Sequence, residues 1–463
     1  MNVLRPTLLL ALLGVASCAR ALPRAAASAG PERPPNIVYI LADDAGYGDL
    51  GVYGQKQIRT PRIDEMAREG MRFTQHYAGA PVCAPSRSVL MTGLHTGHTT
   101  IRGNFGMGPQ GKDIRVPLRD RDVTVAEVLK RAGYATGIIG KWGLGEAGTE
   151  GVPNKQGFDY FFGFLDQHAA HEYYPEFLWR NDEKVPLPGN ENGRHGQYAD
   201  DLFMNEALSF IGQHRDGPFF LYMALTLPHA LMEAPDDSIL ASYAGKYPPK
   251  EAAFAAMVTR LDHDIGRVLD RLHELGIDDN TIVIFTSDNG PHHEDGHDAA
   301  FFDSNGPLRG TKRDMYEGGI RVPFIAWAPG RIRAGAVSDH PSYFADFLPT
   351  AAELAGVRFT GPTDGISFAP TLFGREQPRH AFMYWEFPEG NSQGVRMGDW
   401  KGVRIPAFTG AMQLYDLKTD VSEAHDVAAA HPEVVRKITS IMEREHQPAP
   451  LFWAHDRESH AGR

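Results

Sequence analysis

Cysteine is nearly absent: 463 residues carry two, Cys18 and Cys83. Cys18 falls in an N-terminal leader, so the exported body of the chain forms no internal disulfide and must fold on its apolar core. A long hydrophobic run is missing as well. The most apolar stretch, Leu8-Leu9-Leu10-Ala11-Leu12-Leu13, is too short to span a bilayer. Positive charge is not in excess, because 46 Lys and Arg against 58 Asp and Glu leave a formal net charge of −12. That balance excludes a general attraction for nucleic acid or anionic membrane, and an anionic ligand has to be caught by a local pocket. What is present, 42% hydrophobic and 22% charged residues with 49 Gly and 33 Pro, is the composition of a turn-rich globular protein. The length fits one large domain or two unequal ones.

Residues 1–18 read as a secretion signal: one early charge, Arg5, then the apolar run, then Gly14-Val15-Ala16-Ser17-Cys18. That ending resembles a bacterial lipobox, which would place a lipid anchor on Cys18; ordinary cleavage near the Ala-rich residues 19–29 is the equal alternative. Both predict export, as a periplasmic protein, an outer-membrane lipoprotein or a secreted one. Residues 19–35 read as a linker. From Asn36 onward, apolar runs with β-branched residues, the pattern of strands buried on both faces, recur at Ile37–Ala42, Thr136–Ile139, Phe219–Leu225, Thr281–Thr286 and Val322–Trp327. Helical patterns lie between them, at Val123–Ala132 and Phe254–Leu275. The alternation predicts an α/β domain with a largely parallel sheet over 36–374. Past residue 375, short turn-separated runs such as Phe382–Phe387 and Gln413–Leu417, then a helix from Pro432 to about His446, predict a smaller C-terminal α+β domain over 375–463.

Two acidic pairs follow strands. Asp43-Asp44 ends the first run and Asp288-Asn289 ends the Thr281–Ser287 run, so a parallel sheet would set both at its carboxyl edge, where open α/β folds bind ligands. Three carboxylates and one amide are a hard, all-oxygen set suited to Ca²⁺ or Mg²⁺. A single such Asp would more simply cap the turn after its strand; the repeated pair favours a metal.

The lone body cysteine stands in Pro81-Val82-Cys83-Ala84-Pro85-Ser86-Arg87-Ser88-Val89-Leu90-Met91-Thr92-Gly93. Pro85 fits a first helical turn, which puts Cys83 at a helix N-terminus, where an anion is favoured, and Arg87 one turn on. Most free cysteines are small buried hydrophobes. Beside a hard cation a thiol is a poor ligand, and an oxidised, oxygen-bearing side chain fits better.

The segment Cys83-Ala84-Pro85-Ser86-Arg87 with Leu90-Met91-Thr92-Gly93 resembles the C-x-P-S-R-x-x-L-x-T-G signature of the type I, formylglycine-dependent sulfatases, in an arylsulfatase-like bacterial branch. Asp43-Asp44-Ala45-Gly46-Tyr47-Gly48-Asp49, Gly140-Lys141-Trp142, Ser287-Asp288-Asn289-Gly290, Arg309-Gly310-Thr311-Lys312 and Tyr316-Glu317-Gly318-Gly319 follow in the family's order. The resemblance implies an alkaline-phosphatase-like fold and hydrolysis of sulfate esters. It implies a divalent cation, usually Ca²⁺, on Asp43, Asp44, Asp288 and Asn289, with Cys83 completing the shell after a formylglycine-generating enzyme has made it an aldehyde. By the same resemblance Arg87 and Lys141 stabilise the aldehyde hydrate, and Lys312 and His229 contact sulfate and leaving oxygen. Sulfated carbohydrate or another sulfate ester is the implied substrate.

One departure stands out. Where many family members have Lys-Trp-His, with the imidazole as base, this chain has Lys141-Trp142-Gly143. His171, or less strongly His98, is the candidate replacement, and either is nearly as well read as a structural histidine. Tyr173, Tyr174, Phe177 and Trp179 are candidates for a sugar-binding rim or for the core. The rival readings are a phosphoester hydrolase of the alkaline phosphatase superfamily, against which Cys83 stands, and a non-catalytic exported carbohydrate-binding protein.

Overall fold

The computed structural model of the chain describes residues 33–461, so the leader, Cys18 and most of the linker lie outside the described residues. Of the described residues, those from Pro34 onward form one compact unit built on an 11-stranded sheet. Its strands are β1 (Asn36–Ala42), β2 (Met71–Tyr77), β3 (Ala135–Lys141), β4 (Tyr160–Phe164), β5 (Phe177–Arg180), β6 (Glu183–Pro186), β7 (Phe219–Ala224), β8 (Thr281–Ser287), β9 (Arg321–Trp327), β10 (Ala336–Ser338) and β11 (Ser342–Tyr343). The spatial order is β10-β2-β9-β8-β1-β7-β3-β4-β5-β6, with β11 also on β2. The middle five, β8-β1-β7-β3-β4, are all parallel. Antiparallel pairs flank them, β8 with β9 and β4 with β5. The run Val322–Trp327 is thus a strand, as the sequence predicts, but it runs against its neighbour. The loop before it stays at the carboxyl edge of the sheet, so the chain can only re-enter downward.

Strand β1 shows why the core reads as uninterrupted apolar sequence. Ile37, Tyr39 and Leu41 pack into one hydrophobic cluster while Val38, Ile40 and Ala42 pack into the other, since successive side chains point to opposite faces. Helices α1 (Pro61–Glu69), α4 (Ala199–Gln213) and α5 (Pro249–Glu274) cover one face; α2 (Cys83–Thr92), α3 (Val125–Arg131) and α6 (Phe347–Leu354) cover the other. Helix α3 starts at a capping box in which Thr124 accepts from the Glu127 amide and Glu127 accepts from the Thr124 amide.

The C-terminal strands β12 (Met383–Phe387), β13 (Ser392–Met397), β14 (Trp400–Arg404) and β15 (Met412–Asp416) form a four-stranded antiparallel sheet, followed by helix α7 (Pro432–Glu445). One face packs on α7 through Tyr384, Val395, Leu414 and Ile438. The other adds Trp385, Phe387 and Val403 to the core shared with the large sheet. Among the described residues no helix is long and apolar enough to cross a membrane.

Candidate active site

Register brings the acidic pairs together. In the β1–β8 ladder Ala42 pairs with Ser287, so Asp43 and Asp288 leave adjacent parallel strands at the same level. The Asp44 amide donates to Asp288 Oδ1 at 3.2 Å, and the Asn289 amide nitrogen donates to Asp44 Oδ1 at 2.6 Å. Asp44 holds a left-handed backbone, φ +67°, a conformation that costs a non-glycine residue free energy and that collects at functional sites. Asp43, Asp44, Asp288 and Asn289 are fully buried.

Helix α2 supplies the next two groups. Cys83 is its first residue, Val82 its extended N-cap, and Gly93 closes it in the left-handed conformation, φ +70°, with its amide on Val89 O. Cys83 Sγ lies 3.4 Å from Asp43 Oδ1. One turn on, the buried Arg87 donates Nε and Nη2 to Asp288 Oδ2 at 3.0 and 2.8 Å and Nη1 to Lys141 O at 2.7 Å. Lys141, the last residue of β3, places Nζ 2.5 Å from Asp43 Oδ2. From the loop after β8, Lys312 Nζ donates to Asp44 Oδ2 at 2.8 Å and meets His229 Nε2 at 3.0 Å. Every catalytic and metal residue that the sequence points to therefore meets in one buried cluster.

The buried charges of the cluster act strongly on one another. Burial alone would raise Asp43 and Asp44; for Asp43 the positive charges of Lys141, Arg87 and Lys312, Lys141 foremost, outweigh it and hold the carboxyl well below the usual range. Asp288 goes the other way: burial first, then the negative charge of Asp43, push it up to about 7. Asn289 Oδ1 is buried with no hydrogen-bond partner. Side chains of Asp43, Asp44, Cys83 and His229 each offer a ligand atom within 4.8 Å of the others. An orphaned amide oxygen among hard carboxylates fits Ca²⁺ or Mg²⁺. The thiol does not: burial, then Asp43, push Cys83 well above its ordinary value, so it stays protonated and would be a poor nucleophile and ligand until oxidised.

His229 is neutral, because burial lowers it well below the ordinary histidine value despite Asp44. Its Nδ1 pairs with Ala230 O at 2.5 Å, which leaves Nε2 as an acceptor toward Lys312. The two histidines considered as substitutes at Gly143 separate clearly. The half-buried His171 ring lies 4.3 Å from that of His229, tilted by 32°, and burial and Lys141 push it down to about 4. His98 is held by Asp364 at 2.9 Å and stacks on His95, and none of these contacts belongs to the cluster. At Gly143 itself, φ +74°, an added Cβ would lie 2.2 Å from Gln167 Oε1, so Gln167 fills the space where a side chain would start.

Tyr173 is a core residue, with its hydroxyl donating to Thr226 O and His229 O at 2.9 and 2.7 Å. Asp200 accepts from the Thr226 hydroxyl at 2.6 Å and, with Tyr173, fixes the loop that carries His229. Asp200 and Gln167 carry no signal in the sequence. Each is an ordinary polar residue on a helix or loop with no motif around it.

Known proteins share this arrangement of sequence and fold. The sulfatase family profile matches residues 35–357, and that of the N-sulphoglucosamine sulphohydrolase C-terminal region matches 310–447. The chain is 34% identical over 452 residues to the N-acetylgalactosamine-6-sulfatase of Mus musculus, covering 92% of this chain and 81% of that protein. It is 32% identical over 486 residues to the N-acetylgalactosamine-6-O-sulfatase of Bacteroides thetaiotaomicron, covering 88% and 92%. The solved complex of Ps i-CgsB with k-i-k-neocarrahexaose overlays at a TM-score of 0.77 and 28% identity, over 90% of this chain and 94% of that one. A phosphonate monoester hydrolase of Agrobacterium radiobacter, at 21% identity and a TM-score of 0.65 over 89% and 96%, shares the fold alone. The whole cluster from Asp43 to Lys312 falls inside the matched stretch, and the chain belongs to the sulfatase family.

Proposed function

We propose that this sulfatase, a hydrolase of sulfate esters, acts on sulfated carbohydrate with Cys83, Arg87, Lys141, His229 and Lys312 as its catalytic residues and with Ca²⁺ on Asp43, Asp44, Asp288 and Asn289. The observation that carries the reading is the register pairing of two strand-end acidic pairs, with an unpartnered Asn289 oxygen, at the first residue of the Cys83 helix. A divalent cation there would polarise the ester's sulfuryl oxygens. Residue 83, once a hydrated aldehyde, offers one hydroxyl as nucleophile and a second that lets sulfate leave and restores the aldehyde.

The chain's own groups do the rest. Arg87 bridges Asp288 and the Lys141 carbonyl and so fixes the floor of the site. Lys141 sets a positive charge beside residue 83, and Lys312 sets one on the opposite side, where the charge of the leaving oxygen develops. Lys312, held cationic by Asp44 with His229 facing it as an acceptor, is the hydrogen-bond donor to that oxygen. His171, neutral and next to His229, is placed to take up a proton in the step for which Gly143 has no side chain.

Relatives named for the 6-sulfate of N-acetylgalactosamine point to that ester as the substrate. The signal-like leader supports export, with Cys18 as a lipid anchor in the lipobox reading, and Cys83 maturation needs a formylglycine-generating enzyme as a partner. The catalytic groups all come from 36–374, and 375–463 serves as an accessory C-terminal domain. Matured protein should release sulfate from N-acetylgalactosamine 6-sulfate and from an aryl sulfate, and hydrolyse the phosphate ester of the same phenol at least 100-fold more slowly. Faster phosphate release would turn the reading into that of a phosphoester hydrolase.

A further inference from the structure

The proposed function leaves unused a cleft that opens beside Gly143. A cavity of about 40 Å³ is lined by Ala84, the neighbour of Cys83, and by Gly143, Gln167, Glu146 and Leu165. It adjoins a second cavity of about 560 Å³ that shares Glu146 and Leu165 and extends past Asp166 and Glu172 to Phe177 and Trp179. Both lie at the carboxyl edge of the sheet, because Lys141 pairs with Phe164 and the chain runs straight on through Leu165, Asp166 and Gln167.

Three features of this cleft point to a ligand. Gln167 is 5% exposed, yet its Oε1 has no hydrogen-bond partner. Phe177 and Trp179 alternate along β5 and so share one face of the strand; the Phe177 ring is 37% exposed. The charged side chains lining the larger cavity, which include Glu146, Asp166 and Glu172, are all acidic. Two cations flank these carboxylates: Arg115 lines the smaller cavity 3.9 Å from Asp166, and Lys184 Nζ sits 4.1 and 5.4 Å from the centres of the Phe177 and Trp179 rings. Asp166 is fixed as an acceptor by the amides of His168 and Ala169 at 2.7 and 2.8 Å.

We infer that this cleft is a carbohydrate subsite for an uncharged sugar residue linked to the sulfated one, and that its carboxylates reject a sulfate or uronate at that position. The inference rests on the reading of the site as one for sulfated carbohydrate. Aromatic faces take the C–H side of a sugar ring, and carboxylates and the free Gln167 oxygen accept its hydroxyl protons. A sulfated or carboxylated neighbour would meet like charge instead, which turns the cleft into a selector for the sugar next to the ester under attack.

Sulfate release is compared on three substrates: a sulfated N-acetylhexosamine, the same residue linked to a neutral hexose, and the same residue linked to a uronic acid. The expected kcat/KM is about tenfold higher for the neutral disaccharide than for the monosaccharide, and about tenfold lower for the uronate disaccharide. In Trp179→Ala the ratio of neutral disaccharide to monosaccharide falls to about one, carried by KM. Because Trp179 also packs on the core, Phe177→Ala at the more exposed ring is measured beside it, with the same expected direction. Glu172→Gln should recover part of the uronate penalty. Equal kcat/KM on all three substrates, or ratios unchanged in both aromatic variants, overturns the subsite while leaving sulfatase activity in place. Absence of sulfate release from the monosaccharide and from aryl sulfates overturns the proposed function instead.

Discussion

Two of the buried clusters of charge among the described residues are finished differently. At the junction of the two sheets, Glu317 accepts from Tyr77 OH at 2.6 Å, Lys401 at 3.0 Å and Arg321 at 3.2 Å, while Arg396 donates to the same Tyr77 hydroxyl. These cations hold the Glu317 carboxyl down at about 2 against the upward push of burial. Glu423 beside it has one oxygen without a hydrogen bond, but Lys401 stands 3.6 Å away. In the active site three carboxylates face Arg87, Lys141 and Lys312, yet Asp288 is pushed up to about 7 and the Asn289 oxygen has no donor at all. The first cluster is closed by its own side chains and cements the small sheet to the large one. The second leaves an amide oxygen without a donor among its carboxylates, the atom that the proposed cation would take up. Burial of charge is therefore not in itself a functional signal, and neither is one unpartnered oxygen, since Glu423 has one too; what sets the strand-end cluster apart is an orphaned amide oxygen beside three carboxylates at the first turn of the Cys83 helix.

The sharpest way to separate the clusters is chemical. Cys83→Ser should cost steady-state sulfate release about 10⁴-fold or more and leave the thermal unfolding midpoint nearly unchanged, since a serine side chain left as an alcohol has no second geminal hydroxyl to release the sulfate. Glu317→Gln should do the reverse. It strips a buried carboxylate from Lys401, Arg321 and Arg396, and a loss of about 3–5 kcal/mol in denaturant unfolding is expected, with the kcat of the folded fraction retained. A fall in kcat without that loss of stability would erase the distinction between the two regions.

Asp288→Asn should weaken Ca²⁺ binding by more than the roughly 10–100-fold that loss of an outer partner costs. In the parent protein, Ca²⁺ titration at pH 7 should release protons, because burial and Asp43 hold Asp288 near half-protonation until a cation arrives. Calorimetry in buffers of different ionisation enthalpy reads that release, and the variant should lose it.

The most gradual effect lies in the cluster around Glu317. Burial pushes Glu423 up to about 7 although Lys401 opposes it. A carboxyl raised in the folded state stabilises below its unfolded value and loses that contribution as pH rises toward 7. Relative to Glu423→Gln, the parent should lose up to about 1.4 kcal/mol per pH unit between about pH 4.5 and 7. Matching slopes in the two proteins would show that Glu423 keeps its ordinary value.

These regions also differ in how well the sequence announces them. The active site is legible because each component sits at an element boundary with a physical signature: Asp43 and Asp288 end apolar strands, Cys83 opens a helix, and Gly93 closes it. The parallel core is legible too, since β1, β3, β7 and β8 are runs buried on both faces. The reversed direction of β9 is not, because an apolar run carries no polarity. Nor does sequence alone reveal the Glu317, Lys401 and Glu423 cluster, whose members are 84 and 106 residues apart along the chain and surrounded by unremarkable neighbours. His171 and His98 are equivalent as letters, and only packing separates the one against His229 from the one tied to Asp364. Gln167 becomes visible only through the space left by Gly143.

The most direct test of the account is mass spectrometry of the peptide containing Cys83, taken from a preparation that turns over a sulfate ester. The account predicts an aldehyde at residue 83 in proportion to the active fraction. An intact thiol throughout a fully active preparation would contradict it.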